Sequence, residues 1–320
     1  MLDIPTFLLY NKLGTAVSQK NKFHEVLTMK VSVSSYSYSQ YMKAGKMTQF
    51  DAIAKAAEQG FDGIEFTDLR PDNQSATLDE QLAYAEKLRA EAERVGIEIV
   101  AYLIGANLYT GSAYSDELEV KKVCDQIRVA KALGAKVLRH DVCYSEKVGG
   151  KTVSFDRMLP TIADNARKIT EYAATLGIRT CSENHGRIAQ DSDRVEKLYN
   201  LVGHENYGLL VDFGNFACAD ENSATAVSRV ASYAVHVHAK DFHVIPFGQT
   251  HENIDSSFRT RACNRLVGCA VGDGDIPVAQ CVEIMKMAGY TGYITIEFEG
   301  VNDCISEIAK GLANLRAYIG

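Results

Sequence analysis

Four short β-rich runs, 178–183, 207–212, 234–240 and 292–298, place an acid or a histidine at or near their C-terminal ends: Glu183, Asp212, His238 and Glu297. If these runs are neighbouring parallel strands, three carboxylates and one imidazole converge on one point. Such a cluster carries a large electrostatic cost unless a cation or shared protons offset it. A divalent ion is the simplest solution. The oxygen-rich set suits Mn²⁺ first, with Mg²⁺, Co²⁺ or Zn²⁺ also compatible. Each residue alone has a plainer reading, as a solvated rim acid or a hydrogen-bonded core histidine. The four together are more specific, because their spacing follows a structural repeat.

That repeat runs from Met29 onward. Strand candidates at 30–36, 62–66, 97–103, 136–140, 178–183, 207–212, 234–240 and 292–298 alternate with helix candidates near 48–59, 77–95, 115–133, 155–176, 191–202, 222–232, 275–288 and 302–318. Strict alternation of this kind is the signature of parallel β-α units, and eight units suit a closed (β/α)8 TIM barrel. Gly60, Gly96, Gly134, Gly177 and Gly289 fall between helix ends and the next strands, where a left-handed residue ends a helix. Thr48 with Asp51, and Thr77 with Glu80, have the spacing of capping boxes. No G-x-G-x-x-G follows the first strand, which argues against an open dinucleotide-binding sheet. The expected organisation is an N-terminal extension at 1–28, which fits no repeat unit, and one catalytic barrel domain at 29–320. Residues 241–274 form a long polar connection after the seventh strand. Loops of that length are usually functional or disordered, and this one leaves the face where barrel active sites lie.

The bulk properties set limits. With 46% hydrophobic and 23% charged residues, the 320-residue chain is a globular protein with a large core. A net charge of −7 disfavours nucleic acid as a partner. The eight cysteines include no C-x-x-C pair, so neither structural zinc nor a disulfide scaffold is expected. No run is apolar enough to span a membrane and no basic leader precedes an apolar segment, so a cytoplasmic location is expected.

Against this background, residues 30–318 resemble the xylose-isomerase-like superfamily of sugar phosphate isomerases and epimerases, which includes the ketose 3-epimerases. The resemblance lies in Gly60-Phe61-Asp62-Gly63-Ile64-Glu65, Ser182-Glu183-Asn184, Val211-Asp212-Phe213-Gly214-Asn215, Val237-His238-Ala239-Lys240-Asp241, Gly272-Asp273-Gly274-Asp275-Ile276 and Ile296-Glu297-Phe298-Glu299. It implies Glu183, Asp212, His238 and Glu297 as metal ligands, with Glu183 and Glu297 also acting as the acid/base pair. The chemistry fits. A metal polarises a sugar carbonyl or hydroxyl as a Lewis acid, and a positioned base takes the neighbouring C–H proton to give an enediolate. Return of the proton gives an epimer or an isomer, whereas loss of a β-substituent gives elimination. The expected activity is therefore that of a metal-dependent sugar isomerase or epimerase in carbohydrate metabolism.

One position departs from the ketose-epimerase pattern. Three residues after the metal-binding Asp, a histidine is replaced by Asn215, which cannot shuttle a proton near neutral pH. A substitute base is His140, at the end of the fourth strand, whose plainer reading is a packing histidine beside Asp141. A histidine base resembles the C-glycoside deglycosidases, a lyase branch of the superfamily that eliminates the aglycone from 3-oxo-glycosides and pairs the barrel with a smaller second subunit. A homo-oligomer is the other expected assembly. Further candidate substrate contacts are Asn184, His185, Asn215, Lys240, Asp241 and Glu65. His236 faces the same way as His238 and is read as packing or hydrogen bonding. Arg259, Arg261 and Arg265 are candidates for an anionic group, although a solvated loop explains them as well. Tyr36, Tyr38, Tyr41, Tyr102 and Tyr109 are candidates for stacking on a sugar or a flat aglycone.

Overall fold

A computed structural model describes residues 29–71 and 76–320, so the expected N-terminal extension, 1–28, lies outside the described residues. Eight parallel strands close a barrel in sequence order: Lys30–Ser34, Gly63–Thr67, Glu98–Ile104, Val137–His140, Arg179–Glu183, Tyr207–Asp212, Ala234–Ala239 and Tyr293–Ile296. The eighth pairs back onto the first, with Lys30 opposite Tyr293 and Val33 opposite Ile296. The helices Gln49–Gln59, Leu78–Val95, Ala113–Leu133, Phe155–Thr175, Ser192–Val202, Ser223–Val230, Val278–Met287 and Cys304–Ile319 each follow one strand. This is the (β/α)8 TIM barrel expected from the alternation.

Local chemistry sets the element ends. Thr48 and Thr77 cap their helices, and Asp51 and Glu80 return a carboxylate to the capping backbone, completing both boxes. Gly60 and Gly96 end the same two helices with φ of 86° and 79°, a region that costs a side chain but not glycine.

The main core lies between strands and helices and includes Ile64, Phe66, Leu88, Ile127, Leu138, Ile162, Leu209, Val237 and Ile296. Inside the barrel, Ala101, Leu103, Cys181 and Leu210 form a smaller apolar cluster. Strand alternation gives the interior its second population, which is polar and belongs to the site described below.

The long segment after the seventh strand is ordered. Asp241–Ile245 pairs antiparallel with Arg265–Cys269, and Phe258–Arg259 adds a third strand. Its base is tied by one carboxylate: Asp241 accepts from the backbone N–H groups of Phe242, Gly272, Gly274 and Ile276. No described helix is long and apolar enough to cross a membrane.

Candidate metal centre and active site

The fifth to eighth strands end side by side and deliver Glu183, Asp212, His238 and Glu297 to one place. One ligand atom from each lies within 4.8 Å of the others, and all four side chains are buried. His238 turns Nδ1 toward the acids, 3.2 Å from Glu297 Oε2, 3.7 Å from Asp212 Oδ2 and 3.9 Å from Glu183 Oε1. Asp212 spends Oδ1 on the backbone N–H groups of Gly214 and Asn215, whereas its buried Oδ2 makes no hydrogen bond and meets only the Lys240 ammonium at 3.4 Å and the His238 ring at 3.7 Å. A buried carboxylate oxygen left this way among two further acids and an imidazole nitrogen fits a divalent cation. The donor set, three oxygens and one nitrogen, suits Mn²⁺-type chemistry better than thiolate chemistry.

Two cations accompany the acids. Lys240 reaches Glu297 at 2.8 Å, Glu299 at 3.1 Å and Asp212 at 3.4 Å. Burial alone would lower its pKa, but Asp212, Glu297 and Glu299 outweigh that and hold it well above the ordinary lysine value. Arg139 places Nη2 2.6 Å from Glu183 Oε2 and Nη1 3.1 Å from Asp141 Oδ1. Asn215 donates to Glu183 Oε1 at 2.8 Å and accepts from Lys240 at 3.4 Å, so it lies within the cluster.

Strand phase corrects the reading of His140. Arg139 pairs in register with Cys181 of the inner cluster, so Arg139 points into the barrel and His140 points out. The His140 ring lies 6.5 Å from Tyr207, fully buried, with Nδ1 on the Asp141 carbonyl and Nε2 without a partner. It belongs to the layer between strands and helices and is not placed to act on a substrate.

His185 is the imidazole at the mouth. Nδ1 lies 2.9 Å from Asp141 Oδ1, and 43% of the side chain is exposed. Burial pulls its pKa down, but the hydrogen bond to Asp141 and the charges of Glu183 and Asp141 raise it overall.

Three other expected contacts are engaged elsewhere. Asn184 exchanges two hydrogen bonds with the backbone of Asp212, at 2.8 and 2.9 Å, and so fixes the sixth strand end rather than a substrate. Asp241 anchors the long ribbon, as described. Glu65 is wholly buried, in contact with His236 and His238. Arg261 pairs with Asp191 at 2.6 Å and holds the ribbon to its neighbour.

Of the tyrosines, Tyr38, Tyr41 and Tyr102 bond Gln59, Asp303 and Gln126. Tyr36 is the one beside the four-residue cluster, near Glu297, Glu299 and Lys240. Burial, then Glu299 and Glu297, push its hydroxyl up to about 12. Arg139, Asp141 and Glu299 were not singled out from the sequence as site residues. Glu299 follows Glu297 at the two-residue spacing that keeps one side of a strand, which is the signal that could have found it.

A cavity of about 780 Å³ opens at the ends of the second and third strands, lined by Asp68, Arg70, Tyr102, Gly105, Lys122 and Tyr144 among others. Arg139 joins it to the centre by donating to the carbonyl of Ile104 in its wall.

Known proteins align with this architecture. The sequence pattern of the family described as xylose isomerase-like TIM barrel matches residues 53–318. An inosose dehydratase of Mesomycoplasma hyopneumoniae is 26% identical over 298 residues, covering 87% of this chain and 91% of its own. Among solved structures, the D-psicose 3-epimerase of Clostridium cellulolyticum H10 superposes with a TM-score of 0.69 at 16% identity, covering 91% of this chain and 99% of that one. The probable 3-DHS dehydratase AsbF of Bacillus anthracis gives 0.67 at 15% identity, with 90% and 99% covered.

Proposed function

Because the chain belongs to the xylose isomerase-like TIM-barrel family, we propose that it is a metal-dependent enzyme that removes a proton beside the carbonyl of a sugar or cyclitol ketone and expels a β-substituent. Glu183, Asp212, His238 and Glu297 would hold the ion, for which Mn²⁺ is the first choice. When bound, the ion supplies Lewis-acid polarisation of the substrate carbonyl.

The chain's own groups do the rest. Asp141 orients His185 through Nδ1, and Nε2 has no protein partner among the described residues. Nε2 takes the α-proton, the C–H pair becomes the new C=C bond, and the β C–O bond breaks. The Lys240 ammonium donates a proton to the departing oxygen. Tyr36 and Glu299 border the same space and are placed to hold substrate hydroxyls. The cavity beside Arg139 has room for the rest of the substrate.

The observation that carries elimination over epimerisation is the state of Glu183. Its two oxygens are engaged by Asn215 and Arg139, at 2.8 and 2.6 Å. An epimerase needs a second free acid/base on the opposite face of the substrate. A β-elimination needs one base and one proton donor, the pair formed by His185 and Lys240. The inosose dehydratase relatives, whose names describe loss of water, support the same direction. Epimerisation is the second reading, supported by the epimerase folds that superpose and by the two glutamates in the ligand set. A C-glycoside lyase that uses His140 as base is not supported, since that ring faces away.

The test is NMR of the Mn²⁺-loaded protein in D₂O with an inosose and with 3-oxo-glucosides. Loss of the α-proton with an unsaturated ketone as product is expected. A His185→Asn variant should keep its metal and lose on the order of 10²-fold or more in kcat/KM, the usual worth of a general base. Epimer formation without elimination, or normal turnover in the variant, would overturn the proposal.

A further inference from the structure

Beneath the four ligands, the barrel interior holds a second polar group. Glu65, from the second strand, lies 2.7 Å from His236 Nε2 and about as close to His238 Nε2, at 3.1 Å from Oε2 and 3.0 Å from Oε1. His236 Nε2 also sits 3.0 Å from Thr295 Oγ1, which is 2.6 Å from Ser32 Oγ. All five side chains are buried. The second and seventh strands are not neighbours, because the first and eighth lie between them. Glu65 therefore reaches across the barrel to meet both histidines.

The arrangement fixes an otherwise free choice. An imidazole can carry its proton on either nitrogen. With Nε2 against a buried carboxylate, the proton belongs on Nε2, and Nδ1 presents its lone pair toward Glu183, Asp212 and Glu297. A glutamine at position 65 would replace the charged acceptor with a weaker neutral one whose amide can also turn a donor toward the ring. We propose that Glu65 is a positioning residue that sets the tautomer and the angle of His238 for the cation, and that His236, with Thr295 and Ser32 behind it, holds Glu65 in place. The inference rests on the metal reading of the site but not on which reaction follows.

A second ion among Glu65, His236 and His238 is the competing account, since these three side chains could also hold one. The two accounts differ in stoichiometry. Mn²⁺ titration of the metal-free full chain by calorimetry should give one ion per chain. Glu65→Gln should keep one ion and weaken its binding by 10–100-fold, the typical effect of removing such a partner. His236→Gln should weaken it less. Thermal unfolding of the metal-free variants separates positioning from stability, because a merely structural role lowers the metal-free Tm and leaves the affinity of the folded protein unchanged. Unchanged affinity in a folded Glu65→Gln chain overturns the inference. So do two ions per unsubstituted chain with one lost in the variant. Absence of activity on every sugar tried would leave this binding result intact, so failure of the proposed reaction is read separately.

Discussion

Arg139 Nη2 lies 2.6 Å from Glu183 Oε2 in an ion pair that is almost wholly closed to water, with the two side chains 8% and 1% exposed. The same guanidinium reaches Asp141 and the carbonyl of Ile104, so one residue ties a member of the four-residue cluster, the carboxylate behind His185 and the cavity wall. Replacing it with methionine keeps the length of the side chain but leaves two carboxylates without their cation. Breaking a buried pair by removing one partner costs about 3–5 kcal/mol. Denaturant unfolding of metal-free Arg139→Met should show a loss of that size. Arg139→Lys, which keeps the charge without the fork, should fall between. A methionine variant as stable as the unsubstituted chain would mean that the pair contributes nothing net.

His140 gives a prediction of the opposite kind for activity. Its ring faces the helix layer, so His140→Gln should retain metal binding and turnover within a few-fold. Its pH behaviour follows from burial, which pushes its pKa below the usual imidazole value despite opposing help from Asp141. The folded chain therefore binds this proton less readily than the unfolded chain. Stability attributable to the neutral ring is complete above about pH 6.5 and is lost as pH falls below it, at up to about 1.4 kcal/mol per pH unit. The glutamine variant should show a shallower acid limb in denaturant midpoints measured between pH 7 and 5. A steep limb of equal slope in both proteins would assign the proton elsewhere.

The contrast between these two neighbours marks where the sequence stops being legible. The eight β-α units were readable because strands and helices have different apolar periods and because glycines and capping threonines stand at their borders. The four converging side chains were readable because each lies at or beside the C-terminal end of a strand. Leu138-Arg139-His140-Asp141 was not, because polar residues occupy both phases of that strand end and a one-residue shift exchanges the inner and outer faces. Register against Cys181 settles it, and register is a property of two strands. The roles of Glu65 and Asp241 were hidden for a related reason. Their partners, His236 and His238 for one and the amides of Gly272, Gly274 and Ile276 for the other, are distant in sequence. Pairing of Asp241–Ile245 with Arg265–Cys269 is equally non-local, which is why a polar segment expected as a long loop proved to be a ribbon.

Lys240 should affect binding and turnover in opposite senses. Its ammonium competes with any cation for Glu297 Oε2 and Asp212 Oδ2, at 2.8 and 3.4 Å. Lys240→Gln removes that competitor, so Mn²⁺ should bind more tightly, by about tenfold if one close charge contact of ~1.4 kcal/mol is relieved. The same variant loses the donor proposed for the leaving oxygen, and kcat should fall by on the order of 10²-fold. Calorimetry and steady-state rates on one preparation check both signs. Weaker metal binding would show that the lysine supports the ion site rather than opposing it.

Metal should also be visible as stability, and the pattern of variants identifies which acids hold it. An ion that binds the folded chain alone at one hundred times its Kd adds about 2.7 kcal/mol. In a domain of this size that raises Tm by on the order of 5 °C, from about 2–4 °C per kcal/mol. Chelator-treated protein titrated with Mn²⁺ should show the rise, and Asp212→Asn and Glu297→Gln should abolish or greatly reduce it. Glu299→Gln is the control. Its carboxylate contacts Lys240 at 3.1 Å but is not one of the four converging acids and histidine, so the shift should survive. Burial raises the Glu299 pKa, so this substitution should not cost the fold a strongly held charge. A chain whose Tm ignores Mn²⁺ would remove the metal from the site altogether. A shift lost equally in Glu299→Gln would move the ion outward, toward Lys240 and Tyr36.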